Sequence, residues 1–452
     1  MKIIIVGIGK VGEKLCGMLS NEGHDIIVID TDYKIIEKTV NTYDVIGVKG
    51  NGATFKTLNE AEADDCDMFI ACTESDELNI MSCTIAQKLG AKSTVARVRN
   101  PEYHEQVQFL YDQMGINLVI NPEFETALEI EKLTRFPAAT KLETFAKGRV
   151  DMAQIKISAE HKLVGKPLYE LKNLFNSKFL ICAVKRDSDV YIPSGNFVIN
   201  ANDTVYFTAP HEQMGSVFKE LGLLKKKIKS VMIIGGGKIS FYLAQRLLKL
   251  KISVTMVEID KTRCENLAAL LPEATIINAD GTDSDILIEE GIDSVDACVS
   301  LTDIDEENII VSMFADSRKI EKIITKVTRQ SLVQMLEHAD IAGSTVSPML
   351  TTANSILSYA RAKNNALGST IKTLYRIVDE KVEAIEFQVQ EGFKFFNTPL
   401  KNMSLKKNIL IACILRNNKI IHPNGDTVIE PKDRVVVVTA SEQLSDINDI
   451  FA

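Results

Sequence analysis

Apolar and polar positions along the chain alternate between two patterns. A short β-branched run, suited to a strand buried on both faces, gives way to apolar positions at helical spacing. Ile3-Ile4-Ile5-Val6 opens the series, and Leu15, Met18 and Leu19 mark the helix after it. Further strands are expected at 26–29, 45–48, 68–72, 94–98 and 118–120. Between them, helices are expected near 55–62, from a Thr73-x-x-Asp76 capping box to Leu89, after Asn100-Pro101, and after Asn121-Pro122-Glu123. Six strands with intervening helices predict a doubly wound parallel sheet of the α/β class.

From about Asp151 the texture changes to alternating strands with few long helices, at 154–157, 180–184 and 204–208. Ile192-Pro193-Ser194-Gly195 supplies a turn, so this stretch predicts a smaller α+β module. Lys225-Lys226-Lys227 then marks a junction, read as a solvated linker face. At Val231 the pattern starts again: Val231-Met232-Ile233-Ile234 leads into Gly235-Gly236-Gly237-Lys238-Ile239-Ser240, and a strand over 254–257 ends in Glu258. Asp280-Gly281 echoes Asn51-Gly52, Thr302 to Asp305 echoes Thr73 to Asp76, Asn308 echoes Asn79, and Pro423-Asn424-Gly425 echoes Pro193-Ser194-Gly195. The polypeptide is therefore a tandem duplication with four expected domains: Rossmann-like at 1–140 and 229–363, small α+β at 141–228 and 364–452.

The first strand runs straight into Gly7-Ile8-Gly9-Lys10-Val11-Gly12. Gly7 allows a tight turn, Gly9 lets a pyrophosphate approach the backbone, Gly12 lets helix and strand pack closely, and the helix start supplies free N–H groups. The second strand ends in Asp30, at about the 20-residue distance at which a carboxylate meets a ribose 2′-OH. Glu258 stands in the same relation to Gly235. Such a site takes the adenosine diphosphate half common to NAD, ADP and ATP, and its acids argue against NADP. Lys10 and Lys238 occupy matching places in the glycine turns, where each either contacts phosphate or lies exposed.

At 452 residues with 45% hydrophobic content, the chain has ample material for several ordinary cores. A net charge of −9 provides no basic field for nucleic acid or an anionic membrane surface. No apolar run approaches the ~18 residues that would span a bilayer, so a cytoplasmic protein is expected. The eight cysteines form no CxxC and the six histidines no HxH or HExxH, so reduced core thiols are expected and metal chemistry is not. No proton donor and substrate clamp stand beside the glycine turns, which favours sensing over catalysis. Asp303, Asp305, Glu306 and Glu307 are read as helix-start acids that favour the dipole.

Assembled in this order, the pieces resemble the TrkA family, tandem RCK (KTN) regulatory subunits of Trk-type potassium uptake systems. The likeness rests on Gly7 to Gly12, Val28-Ile29-Asp30, Gly50-Asn51-Gly52, Ala71-Cys72-Thr73 with Asp76 and Asn79, and Ala96 to Glu102, and it spans essentially the whole chain. It implies a non-enzymatic protein that binds NAD or NADH, responds also to ATP and ADP, and assembles as a tetramer. It further implies docking on a TrkH-type membrane subunit at the inner face of the membrane. Carried over by position, the first nucleotide site falls on Gly7, Gly9, Lys10, Val11, Gly12, Asp30, Thr31, Asn51, Gly52, Thr73, Glu74 and Arg99. The second falls on Gly235, Gly237, Lys238, Ile239, Glu258 and Asp280, with Ser240 replacing the third glycine. The resemblance also puts a candidate cation ligand at Glu123, and candidate phosphate contacts at Arg186 and Arg416, for which structural use is preferred. The rival readings are a regulatory subunit of another cation channel or antiporter, and an NAD-dependent oxidoreductase.

Overall fold

The computed structural model describes residues 1–452 except 146–148, 188, 224–226, 340–342, 367–370, 378–381, 418, 441–443, 445 and 452. The Lys225-Lys226 part of the expected basic junction lies outside the described residues.

The first sheet contains β1 (Lys2–Val6), β2 (Asp25–Asp30), β3 (Ile46–Lys49), β4 (Met68–Ala71), β5 (Thr94–Arg97) and β6 (Leu118–Ile120). Their order is β3-β2-β1-β4-β5-β6, parallel throughout, so the strand order reverses between β1 and β4 and a crevice opens there at the carboxyl ends. Ile3, Ile4 and Ile5 are fully buried because helices cover both faces of β1. The first small sheet contains β7 (Lys141–Phe145), β8 (Val150–Lys156), β9 (Leu180–Arg186), β10 (Asp189–Tyr191) and β11 (Thr204–Pro210), antiparallel in the order β10-β9-β11-β8-β7.

The second half repeats both. Strands β12 (Ser230–Ile234), β13 (Ser253–Glu258), β14 (Thr275–Asn278), β15 (Ala297–Ser300), β16 (Lys322–Lys326) and β17 (Ser344–Val346) form a parallel sheet in the order β14-β13-β12-β15-β16-β17. Strands β18 (Ile371–Ile377), β19 (Val382–Gln388), β20 (Ile409–Arg416), β21 (Lys419–Ile421) and β22 (Arg434–Ala440) form the second antiparallel sheet, ordered β18-β19-β22-β20-β21. The two small sheets pack on one another, Met152, Cys182 and Tyr206 meeting Ala384, Cys413 and Val436 in one buried cluster. All eight cysteines are free and buried, as the apolar settings of their sequence positions predict.

Two local expectations are corrected. The helix Asp76–Leu89 is capped by Ser75, whose hydroxyl accepts from the Leu78 N–H at 3.1 Å, and not by Thr73. Thr73 is drawn away because the fully buried Asn79 side chain accepts both its N–H and its hydroxyl, at 2.8 and 2.7 Å. The helix Phe55–Glu60 stops short of Glu62, which is left-handed with φ 53°.

The halves are joined by exchanged helices. Helix Pro122–Arg135 follows β6 yet packs on helix Lys238–Lys249 of the second half, burying Ala127, Ile130 and Leu133 beside Leu243 and Leu247. Helix Pro348–Ala366 follows β17 and packs on helix Lys10–Ser20, burying Ala353, Ile356 and Leu357 beside Leu15 and Leu19. Polar ties fix each exchange. Arg361 grips Glu22, and the Ser93 and Tyr359 hydroxyls lie 2.8 Å apart. Reciprocally, Arg246 pairs with Glu131, and Asn121 Nδ2 donates to the Tyr242 hydroxyl at 3.0 Å.

Lys322, fully enclosed at the start of β16, holds the chain leaving the first exchanged helix. Its ammonium donates to Pro137 O at 3.1 Å, Ala139 O at 2.7 Å and the Ser344 hydroxyl at 2.8 Å. Burial pushes it down to about 7 from an ordinary 10.5, so between those values the unfolded chain binds more protons than the native one. Stability is therefore expected to rise with pH from about 7 to about 9, above which thiols that ionise in the unfolded chain but stay protonated in the fold, such as Cys72, oppose the rise. Urea titrations at several pH values check this, and Lys322→Met should remove the rise.

Candidate functional site

The geometry begins at Gly7. Its φ of +86° turns the chain sharply, and a Cβ there would come within 2.8 Å of the Thr73 backbone. A Cβ on Gly12 would lie 2.1 Å from Gly7 O, so helix and turn can close only without one. Gly9 caps helix Lys10–Ser20 with no side-chain acceptor, and nothing lies within 4 Å of where its Cβ would be. The helix start is thus left with unsatisfied N–H groups and a positive dipole end facing open space.

Asp30 braces this turn. Its Oδ2 accepts from the Ile8 N–H at 2.8 Å and its Oδ1 from the Asp32 N–H at 3.0 Å, leaving lone pairs toward the crevice. Asn51 folds its own turn by accepting from the Ala53 N–H at 2.9 Å, and a Cβ on Gly52 would strike Val6 at 2.2 Å. Arg97 donates to the Thr73 carbonyl at 3.4 Å, and burial followed by the charge of Arg99 pushes its guanidinium down. Arg99 is bound to Glu123 at 2.5 Å, and its backbone N–H donates to Asp76 at 2.9 Å. Cys72 Sγ donates to Gly7 O at 3.2 Å, and burial pushes its thiol up to about 12, which keeps it protonated and unreactive.

A cavity of about 1570 Å³ runs along these groups. Gly7, Gly9, Lys10, Val11, Asp30, Thr31, Asn51, Gly52, Thr73, Glu74 and Arg99 all line it, whereas Gly12 lies behind the turn in helix packing. Glu123 also lines it, committed to Arg99, and no group of three or more His, Cys, Asp or Glu able to hold a metal occurs among the described residues.

The same cavity continues onto the second half, where Gly237, Lys238 and Ile239 line it and Gly235, Glu258 and Asp280 do not. Gly235 makes the turn, with φ +96° and its N–H donating to Val257 O at 2.8 Å. Asp280 accepts from the Thr282 N–H at 2.9 Å, which lowers its carboxyl, and serves its own turn. Glu258 is 5% exposed; its Oε2 accepts from the Gly236 N–H at 2.6 Å and its Oε1 from the Asp260 N–H at 2.8 Å. Ser240 is fully buried, its hydroxyl without a hydrogen-bond partner.

Arg186 and Arg416 each brace a buried acid in their small sheets. Arg186 holds the buried Asp203 through two nitrogens at 2.8 Å, and Arg416 holds the buried Asp433 at 3.0 and 2.9 Å. Sequence reasoning used Asp76 and Asn79 as motif residues without giving them a role and left Arg97 unassigned; the recurrence of Asn79 as Asn308 has its physical reason here, since both asparagines lock the strand end in the same way.

Two parallel sheets, each opening a glycine turn onto a shared cavity, define a tandem nucleotide-binding-fold protein. The TrkA-N domain model matches residues 3–122 and 231–348 and the TrkA-C domain model residues 152–222 and 384–452, so the chain belongs to the TrkA family. It is 32% identical to Trk system potassium uptake protein TrkA homolog 1 of Methanosarcina mazei, covering 100% of both chains. It is 30% identical to Trk system potassium uptake protein TrkA of Vibrio alginolyticus, covering 100% of this chain and 98% of that one. Among solved structures, the GsuK channel bound to NAD shares the fold at TM-score 0.64 and 17% identity, covering 99% of this chain and 78% of that one. The GsuK RCK domain does so at TM-score 0.62 and 16% identity, covering 97% and 92%.

Proposed function

We propose that the chain is the nucleotide-sensing regulatory subunit of a Trk-type potassium uptake system, binding NAD or NADH, and ATP or ADP through their shared half. The reading rests on the first crevice: an uncapped helix start at Gly9 faces the cavity beside Asp30, which keeps acceptor capacity for a ribose. Pyrophosphate would lie on the Gly9 to Val11 backbone, ribose hydroxyls would donate to Asp30, and Lys10 and Arg99 would offset phosphate charge. Ligand is held and not transformed. Binding biases a TrkH-type membrane partner only if the two conformations differ in ligand affinity. No helix among the described residues is long and apolar enough to cross a membrane; in this reading the partner supplies the pathway and this subunit works at the inner membrane face. Calorimetric titration with NADH, together with an assay for NADH turnover, tests the reading; turnover with a carbonyl substrate, or no binding at all, would sink it.

The tetramer implied by the family finds support in apolar side chains exposed at repeat-related places. Met81 on helix Asp76–Leu89 is 51% exposed, and Ile310 on helix Asp305–Ser317 is 61% exposed. Such faces are covered by a second copy at low cost. Ile310→Asp is expected to lower the oligomer order measured by light scattering, with nucleotide binding retained.

A further inference from the structure

The two crevices are built alike but present opposite chemistry to a ribose. In the first, Asp30 and Ile35, the latter on the helix Tyr33–Thr42, both line the cavity. In the second, Glu258 accepts from the Gly236 and Asp260 N–H groups just as Asp30 does from those of Ile8 and Asp32, but it is buried and does not line the cavity. The place of Ile35 is taken by Arg263, on the helix Lys261–Leu270, which pairs with Glu258 at 3.3 Å and itself lines the cavity. A ribose hydroxyl approaching the place that Ile35 and Asp30 hold in the first half meets a guanidinium, which accepts nothing.

The rest of the second crevice is cationic. Lys326, more than nine-tenths buried, lines the cavity with its ammonium 3.4 Å from the fully solvated Asp303, and Lys238 lies at the helix start. Thr328 and Met349 stand where the first half has Arg99 and Glu123, so Asp303 is the one carboxylate of this half lining the cavity among the described residues. An acid selects a ribose diol, whereas an arginine in its place accommodates a phosphate on the 2′ position.

We infer that the second crevice takes a dinucleotide phosphorylated on its adenosine ribose, the NADP(H) class, with Arg263 as the residue that recognises the 2′-phosphate. This reverses the expectation from sequence that Glu258 excludes such ligands, and it rests on the reading of both crevices as nucleotide sites. The subunit would then compare two cofactor pools, one in each half.

The test is calorimetry on the full chain with NADH and NADPH. NADPH is expected to bind Asp30→Ala as it binds the unaltered protein, and to bind Arg263→Ile roughly ten- to a hundredfold more weakly, the size of one lost charge-assisted contact. NADH binding at the first crevice, kept in Arg263→Ile, reports that this variant is folded; Arg263→Gln serves if it is not. NADPH binding Asp30→Ala no more tightly than NADH does, or unaffected by either Arg263 change, overturns the inference. Loss of NADH binding by the unaltered protein would instead overturn the reading of the first crevice.

Discussion

Asp30→Ala is expected to weaken NADH binding roughly ten- to a hundredfold, the cost of a carboxylate's hydrogen bonds to a bound ligand. The effect has two sources. The variant loses the acceptor for the ribose, and it releases the Ile8 and Asp32 N–H groups that shape the glycine turn. Glu258→Ala should leave NADH affinity at the first crevice unchanged, because Glu258 braces only its own turn and does not line the cavity. Titrating the two variants in parallel separates the halves. Equal losses in both would contradict the assignment.

Arg361→Ala is expected to destabilise the fold by about 3–5 kcal/mol, the range for removing one partner of a buried ion pair. Arg361 Nε lies 3.0 and 3.1 Å from the two Glu22 oxygens, and its side chain is 9% exposed. Without it, the Glu22 carboxylate stays in a poorly hydrated turn near His24, whose Nε2 is 3.9 Å away. The tie also fixes helix Pro348–Ala366 on the first half, so the loss should appear as earlier urea unfolding and as weaker coupling between halves. Replacing both partners by apolar residues of similar size, Glu22→Leu with Arg361→Met, should recover most of the stability. No recovery would mean that the pair does more than neutralise itself.

Much of this architecture is legible in the sequence because burial on both faces writes parallel strands as unbroken apolar runs. Ile3 to Val6 and Val231 to Ile234 announce themselves, and the glycine spacing marks where each turn must fall. The glycine turn of the first crevice is equally legible, since the positive φ at Gly7 and the close approach at Gly12 each require a glycine. Other features depend on contacts between segments distant in the chain. Nothing in Pro122–Arg135 or Pro348–Ala366 says that each helix will pack on the opposite half, because an apolar stripe does not name its partner. The surroundings of Glu258 are hidden for a similar reason. Its spacing matches Asp30, but its pairing with Arg263 and its place outside the cavity lining are found only once the helix is placed. Thr73 was misassigned as a cap because Asn79 competes for it from the next turn of helix.

The central claim is that occupancy of the first crevice, without chemistry on the ligand, biases potassium movement through a membrane partner. The most direct measurement is potassium flux in vesicles carrying the membrane subunit with this chain bound, with and without NADH, using the unaltered protein and Asp30→Ala. The account predicts that NADH changes the flux with the unaltered chain, leaves it unchanged with Asp30→Ala, and is recovered unoxidised in both. An equal response from Asp30→Ala, or flux that proceeds only as NADH is consumed, would contradict it.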